Sequence, residues 1–184
     1  MLFTKLHIPP AGNNVVHRSE LFDKLNDGLS RKLILISAPA GYGKTTLISD
    51  WISQYKIPAA WLSLDNSDND PAVFLSYIIS GIQSIHKEVG QSALRLLNSP
   101  NSPSVESIAS LLINEVLNIN QNILLVIDDF HLITSSEVSK LVTYLLEHIP
   151  GNIHIVILTR SDPALAVSKL RSQHQLVELR SSDL

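Results

Sequence analysis

Ser37-Ala38-Pro39-Ala40-Gly41-Tyr42-Gly43-Lys44-Thr45-Thr46 is the stretch that decides the fold. An apolar run, Leu33-Ile34-Leu35-Ile36, leads into it, and an amphipathic stretch with Leu47, Ile48 and Trp51 leaves it. Strand, tight turn and helix in that order match the phosphate-binding pattern G-x-x-x-x-G-K-[ST], with Ala38 in the first glycine's place. Each residue type has a physical reason. A turn feeding a helix N-terminus aims backbone N–H groups at anionic oxygens, here those of Ala40, Gly41, Tyr42, Gly43, Lys44, Thr45 and Thr46. Gly41 and Gly43 admit dihedrals that other residues resist. Lys44 reaches the β and γ phosphates of a nucleotide, and the Thr45 hydroxyl suits Mg²⁺. The alternative is a glycine-rich turn with a surface lysine, and the flanking strand and helix weigh against it.

Outward from this loop, short β-branched runs alternate with longer helical stretches. That alternation predicts an α/β domain with a largely parallel sheet. Strands are expected at 32–37, 59–64, 122–127, 153–158 and 175–179. The third is apolar almost throughout, as a strand covered on both faces should be. Helices are expected from Lys44 to about Gln54, from Ala72 with a stop at Gly90, after Pro103, over 136–149, and around Leu21 and Leu25. Asp162-Pro163 reads as a helix entry, with the aspartate capping and the proline at the first helical position. The segment 97–103 reads as a loop by composition.

Two strand ends carry chemistry. Asp128-Asp129 closes the third strand, on the side where parallel sheets bind ligands. Asp128 is the candidate Mg²⁺ orienter, through water or through Thr45. Asp129 is the candidate to polarise an attacking water, the alternative being a turn-capping pair. Thr159-Arg160 ends the fourth strand, where an arginine can meet the terminal charge that only a triphosphate offers. His131 is either a loop histidine or a group beside this cleft. His154 reads as structural. Val16 and Arg18, in the proline-stiffened arm before the first strand, are candidate base or ribose contacts.

Composition narrows the function. The chain has 184 residues, 45% of them hydrophobic and 17% charged, which is globular and large enough for a substantial core. Lys plus Arg total 14 against 17 Asp plus Glu, a formal net charge of -3, which argues against gripping DNA through phosphates. There is no cysteine, so disulfides, a thiolate nucleophile and cysteine-ligated zinc are excluded. Runs such as Leu33–Ile36 and Ile123–Ile127 are far too short to span a bilayer, and the first residues do not read as a signal peptide. No membrane association and a cytoplasmic location are expected. Asn followed by Lys does not occur, so the guanine-specifying N-K-x-D string is absent.

Several strings together resemble one family. They are T-K-L-H-I-P-P with V-V-H-R, the loop S-A-P-A-G-Y-G-K-T-T-L-I-S-D-W, A-W-L-S-L-D-N-S-D-N-D-P-A-V-F-L, L-L-V-I-D-D-F-H-L-I and I-V-I-L-T-R-S-D-P. They are similar to the nucleotide-binding domain of the MalT-like, ATP-dependent LuxR-family transcriptional regulators, members of the STAND class of signalling ATPases related to NB-ARC proteins. The resemblance covers roughly residues 4 to 184. It implies an additional-strand P-loop NTPase fold in three layers, with sheet order 5-1-4-3-2. By resemblance, Lys44 and Thr45 belong to the Walker A loop, and Asp128 and Asp129 to Walker B. Arg160 matches the arginine that reads the γ-phosphate, and Val16 and Arg18 match an arm beside adenine. Asp65, Asp68 and Asn69 match a polar motif whose role the resemblance does not assign.

The resemblance further implies an ATP/ADP switch with Mg²⁺ and slow hydrolysis, ADP holding the resting state. Residues 1–30 would form the arm and first helix, 31–180 the NTPase core, and 181–184 the start of a linker to a winged-helix domain. The chain thus reads as a piece of a longer protein. A small-molecule inducer and DNA would be partners of other domains, and a nucleotide-dependent homo-oligomer the active state. The alternatives are a signalling scaffold ATPase with a non-DNA effector and a small metabolic P-loop kinase.

Overall fold

The computed structural model describes residues 1–10 and 19–184. The strands are β1 (Leu33–Ser37), β2 (Ala59–Ser63), β3 (Ile123–Asp128), β4 (Ile153–Thr159) and β5 (Leu176–Arg180). The helices are α1 (Ser19–Gly28), α2 (Lys44–Tyr55), α3 (Pro71–Gln83), α4 (Gln91–Leu97), α5 (Val105–Val116), α6 (Ser136–His148) and α7 (Val167–Ser172). Short 3-10 turns occupy Phe3–Leu6, Asn66–Asn69 and Phe130–Leu132.

The five strands form one parallel sheet in the order β2-β3-β4-β1-β5. Read from the other edge this is 5-1-4-3-2, the additional-strand P-loop order. β4 lies between β1 and the acidic β3, so the glycine-rich loop and the Asp128 strand end are separated by one strand.

Burial explains the apolar strands. Successive strand residues face opposite sides, and both sides are covered. Leu33, Leu35, Leu125, Ile127, Ile155 and Ile157 pack beneath residues of α3, α5 and α6. Ile34, Ile36, Leu124, Val126, Val156 and Leu158 pack against α1 and α2 on the other face. Trp51 is fully buried there, and its Nε1 donates to Asn26 Oδ1 at 2.9 Å, joining α2 to α1. His154 is buried within β4 with Nδ1 2.7 Å from the Arg31 carbonyl, a structural contact.

Two expectations are corrected. α3 ends at Gln83, and Gly90 is not its stop: it precedes α4 as that helix's N-cap, with a left-handed φ of 77°. α4 is an addition to the expected helices: its seven residues are too few to establish a period in the sequence. Asp162-Pro163 does not open α7, whose N-cap is Ala166; Asp162 instead pairs with Arg180 of β5. Among the described residues, no helix is long and apolar enough to cross a membrane.

Candidate functional site

The loop between β1 and α2 is held from below and open above. Ala38 is buried, and its N–H donates to the Thr159 carbonyl at 3.2 Å, tying the loop to the end of β4. Ala38 is not among the residues with positive φ, so alanine stands in the motif's first glycine position without strain. Gly41 and Gly43 do need left-handed backbone, with φ of 86° and 77°. A Cβ on either would meet nothing within 4 Å, so what surrounds the loop there is open space. Pro39, Ala40, Gly41, Tyr42, Gly43 and Thr46 are exposed.

Gly43 is the N-cap of α2 and offers that helix no side-chain cap. The N–H groups of the first turn therefore have no capping oxygen from it, and the positive end of the helix dipole lies at the open side of the loop. Lys44 is buried, with Nζ donating to the carbonyls of Ala38 at 2.7 Å and Pro39 at 3.1 Å. Burial lowers its pKa, Asp128 opposes that, and Arg160 adds to it.

Asp128 lies across from this loop at the end of β3. Its Oδ2 accepts from the Thr45 hydroxyl at 2.9 Å, and its Oδ1 from the Asp129 N–H at 2.8 Å. The carboxyl is buried, which raises its pKa, while the Thr45 hydrogen bond works the other way. Asp129 adopts a left-handed conformation, φ 57° and ψ 37°. The strand alternation ends there, and Asp129 Oδ1 comes to 3.9 Å from Arg160 Nη2 and 3.8 Å from His131 Nδ1. These are loose, partly exposed pairings worth little to stability, so the groups remain available to a ligand. His131 is mostly covered; burial and the nearby Arg160 charge lower its pKa, and its Nδ1 has no hydrogen-bond partner.

The fold thus gathers Lys44, Thr45, Asp128, Asp129, Arg160 and His131 at the C-terminal ends of β1, β3 and β4. Val16 and Arg18 lie outside the described residues. The arrangement suits a magnesium–phosphate ligand: open space over left-handed glycines, an uncapped helix end, one buried cation, and a hydroxyl–carboxylate pair that are two of the oxygen donors Mg²⁺ takes. Asn69, in the turn after β2, reaches the segment just after Asp129, where its side-chain amide bonds backbone groups of Leu132, Thr134 and Ser135.

A family model described as an AAA domain matches residues 27–160. The chain belongs to the AAA domain family. Within it, this AAA domain is 36% identical over 181 residues to the HTH-type transcriptional regulator MalT of Cronobacter sakazakii, covering 98% of the chain and 20% of that protein. The MalT of Vibrio parahaemolyticus is 32% identical over 176 residues, covering 96% and 19%. The chain spans about a fifth of the length of these curated relatives. The resemblance to a MalT-like nucleotide-binding domain, read from the motifs, is borne out over nearly all of it.

Solved structures agree on the fold. Cdc6p from Pyrobaculum aerophilum superposes with a TM-score of 0.59 at 14% identity, covering 97% of this chain and 49% of that one. A STAND protein with a tetratricopeptide repeat sensor from Pyrococcus horikoshii gives 0.55 at 19% identity, covering 94% and 24%.

Proposed function

We propose that this AAA domain is the ATP/ADP-binding switch of a multidomain transcriptional regulator, using Mg²⁺ and hydrolysing ATP slowly. The observation that carries the reading is the Thr45–Asp128 hydrogen bond of 2.9 Å, which joins the glycine-rich loop to the acidic strand end in one cleft. Likeness to MalT regulators over 98% of the chain supports the regulatory setting.

Each residue has a role in this reading. The N–H groups from Ala40 to Thr46 cradle the phosphates, and Lys44 exchanges its two loop carbonyls for β and γ oxygens. Thr45 and Asp128 hold Mg²⁺, which when bound offsets the phosphate charge. Asp129 orients the attacking water and accepts its proton as the water oxygen bonds the γ phosphorus; the bond to the bridging oxygen breaks, and ADP and inorganic phosphate depart. Arg160 meets the γ-phosphate and so distinguishes ATP from ADP. Val16 and Arg18 lie beside the adenine. Residues 1–30 act as arm and first helix, 31–180 as the NTPase core, and 181–184 begin a linker to a winged helix. Inducer and DNA are met by other parts of the regulator, in the cytoplasm, and ATP favours a homo-oligomer.

Calorimetry of ATP and ADP, with and without Mg²⁺, tests this beside Arg160→Ala. The expected outcome is ADP affinity unchanged in the variant and ATP affinity reduced roughly tenfold to a hundredfold, the range for a lost hydrogen bond to a charged group. Failure of the parent protein to bind either nucleotide overturns the reading.

A further inference from the structure

The Asn66–Asn69 turn sits between two segments that are distant in sequence. On one side is Lys5, in the first 3-10 turn. Its Nζ lies 2.8 and 2.7 Å from the two oxygens of Asp68 and 2.8 Å from Asp65 Oδ2. Asp68 is fully buried and Lys5 is 8% exposed. Asp68 also accepts from the Asp65 N–H at 2.8 Å, completing a capping box that rigidifies the turn. The Lys5 ammonium further lies 4.9 Å from the Tyr77 ring centre, and the Tyr77 hydroxyl accepts from the Leu2 N–H at 2.9 Å. Burial by itself lowers the Lys5 pKa, but hydrogen bonds and charge from Asp65 and Asp68 outweigh it and the net shift is upward.

On the other side is the chain just after Asp129. Asn69 Nδ2 donates to the Leu132 carbonyl at 3.0 Å. Asn69 Oδ1 accepts from the N–H groups of Thr134 at 2.7 Å and Ser135 at 2.8 Å. One amide therefore satisfies three backbone groups of the segment that links Asp129 to α6. Upstream, Leu132 N–H donates to the Asp129 carbonyl at 3.0 Å. Asp129 itself has φ 57°, a left-handed conformation that aspartate adopts more readily than most non-glycine residues, and the bonded segment after it fixes where the chain goes next.

We propose that Asn69 is a positioning residue for Asp129, and that the Asn66–Asn69 turn couples the N-terminal segment around Lys5 to the Asp129 segment. This rests on the proposed role of Asp129 in ATP hydrolysis, though the mechanical coupling does not. The polar string after β2 thereby acquires a division of labour. Asp65 and Asp68 fasten the turn to Lys5, Asn69 fastens it to residues 132–135, and Asp70 caps α3 through the N–H groups of Ala72 and Val73. Changes around Lys5 can therefore reach the acidic strand end without passing through the glycine-rich loop.

The test uses two variants. Lys5→Met combined with Asp68→Asn removes the ion pair without stranding a buried charge, and leaves an oxygen for the Asp65 N–H. Asn69→Ala cuts the other link. Hydrogen exchange in the nucleotide-free protein should show the Thr134 and Ser135 amides exchanging roughly tenfold faster in the Lys5/Asp68 variant, although neither substituted residue touches them. Asn69→Ala should lower ATP turnover roughly tenfold while ADP affinity stays within about twofold, the pattern of a displaced reacting group and not of lost binding. Unchanged exchange in the Lys5/Asp68 variant overturns the coupling. Undiminished turnover in Asn69→Ala overturns the positioning role. If the parent protein binds no nucleotide, the functional reading falls, and the exchange result still decides the coupling on its own.

Discussion

Gly43 and Gly90 share a φ of 77° in different surroundings, so replacing each with alanine separates backbone strain from crowding and both from ligand binding. A Cβ in left-handed backbone costs about 1–2 kcal/mol, partly offset by about 0.4–1 kcal/mol from a stiffer unfolded chain. At Gly43 the new methyl meets nothing within 4 Å, so Gly43→Ala should destabilise by only about 1 kcal/mol. At Gly90 the methyl would lie 2.6 Å from Ile79 Cγ2 and 3.3 Å from Leu112 Cδ1. Ile79 is β-branched and fully buried, so it cannot swing aside, and overpacking adds about 1–3 kcal/mol. Gly90→Ala should therefore cost about 2–4 kcal/mol in all.

For a chain of this size about 1 kcal/mol moves the melting temperature by roughly 2–4 °C, so the two variants should differ clearly in thermal unfolding. ADP binding should rank them the other way. The Gly43 methyl enters the space where phosphate oxygens would approach the start of α2, and affinity should fall at least about tenfold, or about 1.4 kcal/mol. Gly90→Ala lies among α3, α4 and α5 and should leave the affinity of the folded protein unchanged. Calorimetry below the melting transition reads this directly. Wild-type ADP affinity in Gly43→Ala would refute the placement of phosphate over the loop. Equal melting temperatures for the two variants would refute the crowding argument.

Two other outcomes follow from the site. Lys44→Ala should abolish nucleotide binding in calorimetry yet shift unfolding by only about 1 kcal/mol, since two lost hydrogen bonds to the loop carbonyls are balanced against a buried cation no longer desolvated. Asp128 has a folded pKa raised by burial above its usual 3.8, so the fold binds its proton more tightly than the unfolded chain. That contribution is complete below the unfolded value and is lost as pH rises through the folded one. Asp128→Asn should flatten this decline in thermal unfolding measured from pH 3.8 upward, while removing the Mg²⁺-dependent part of nucleotide affinity; an unchanged pH profile would count against a buried, unfavourable carboxylate.

What was legible in the sequence was local or periodic. β1, the glycine-rich turn and α2 were readable because three adjacent signals agree: an apolar run, residues tolerant of left-handed backbone, and an amphipathic helix. β3 was readable as an uninterrupted apolar run from Ile123 to Ile127, and β4 as an apolar run broken only by His154. Gly90 misled because a glycine near a helix end reads equally as the stop of one helix or the start of the next; packing against Ile79 and Leu112 decides it. Asp162-Pro163 misled because a carboxylate that can cap a helix can also pair with an arginine, and Arg180 lies eighteen positions further on.

By itself, then, the sequence determined the alternation of strands and helices, the loop at Ser37–Thr46 and the acid pair ending a buried strand, because those follow from side-chain period, backbone permissiveness and burial within a few residues. Tertiary structure alone decided that Thr45 meets Asp128, since that requires β4 to lie between β1 and β3 and the strand ends to align. It alone decided that Asp129 turns left-handed towards Arg160, and that Asn69 reaches residues 132–135. Each of these joins groups far apart along the chain, and no local preference specifies which distant group a side-chain amide or carboxylate will meet; only the packed sheet and its two helical layers bring the partners together.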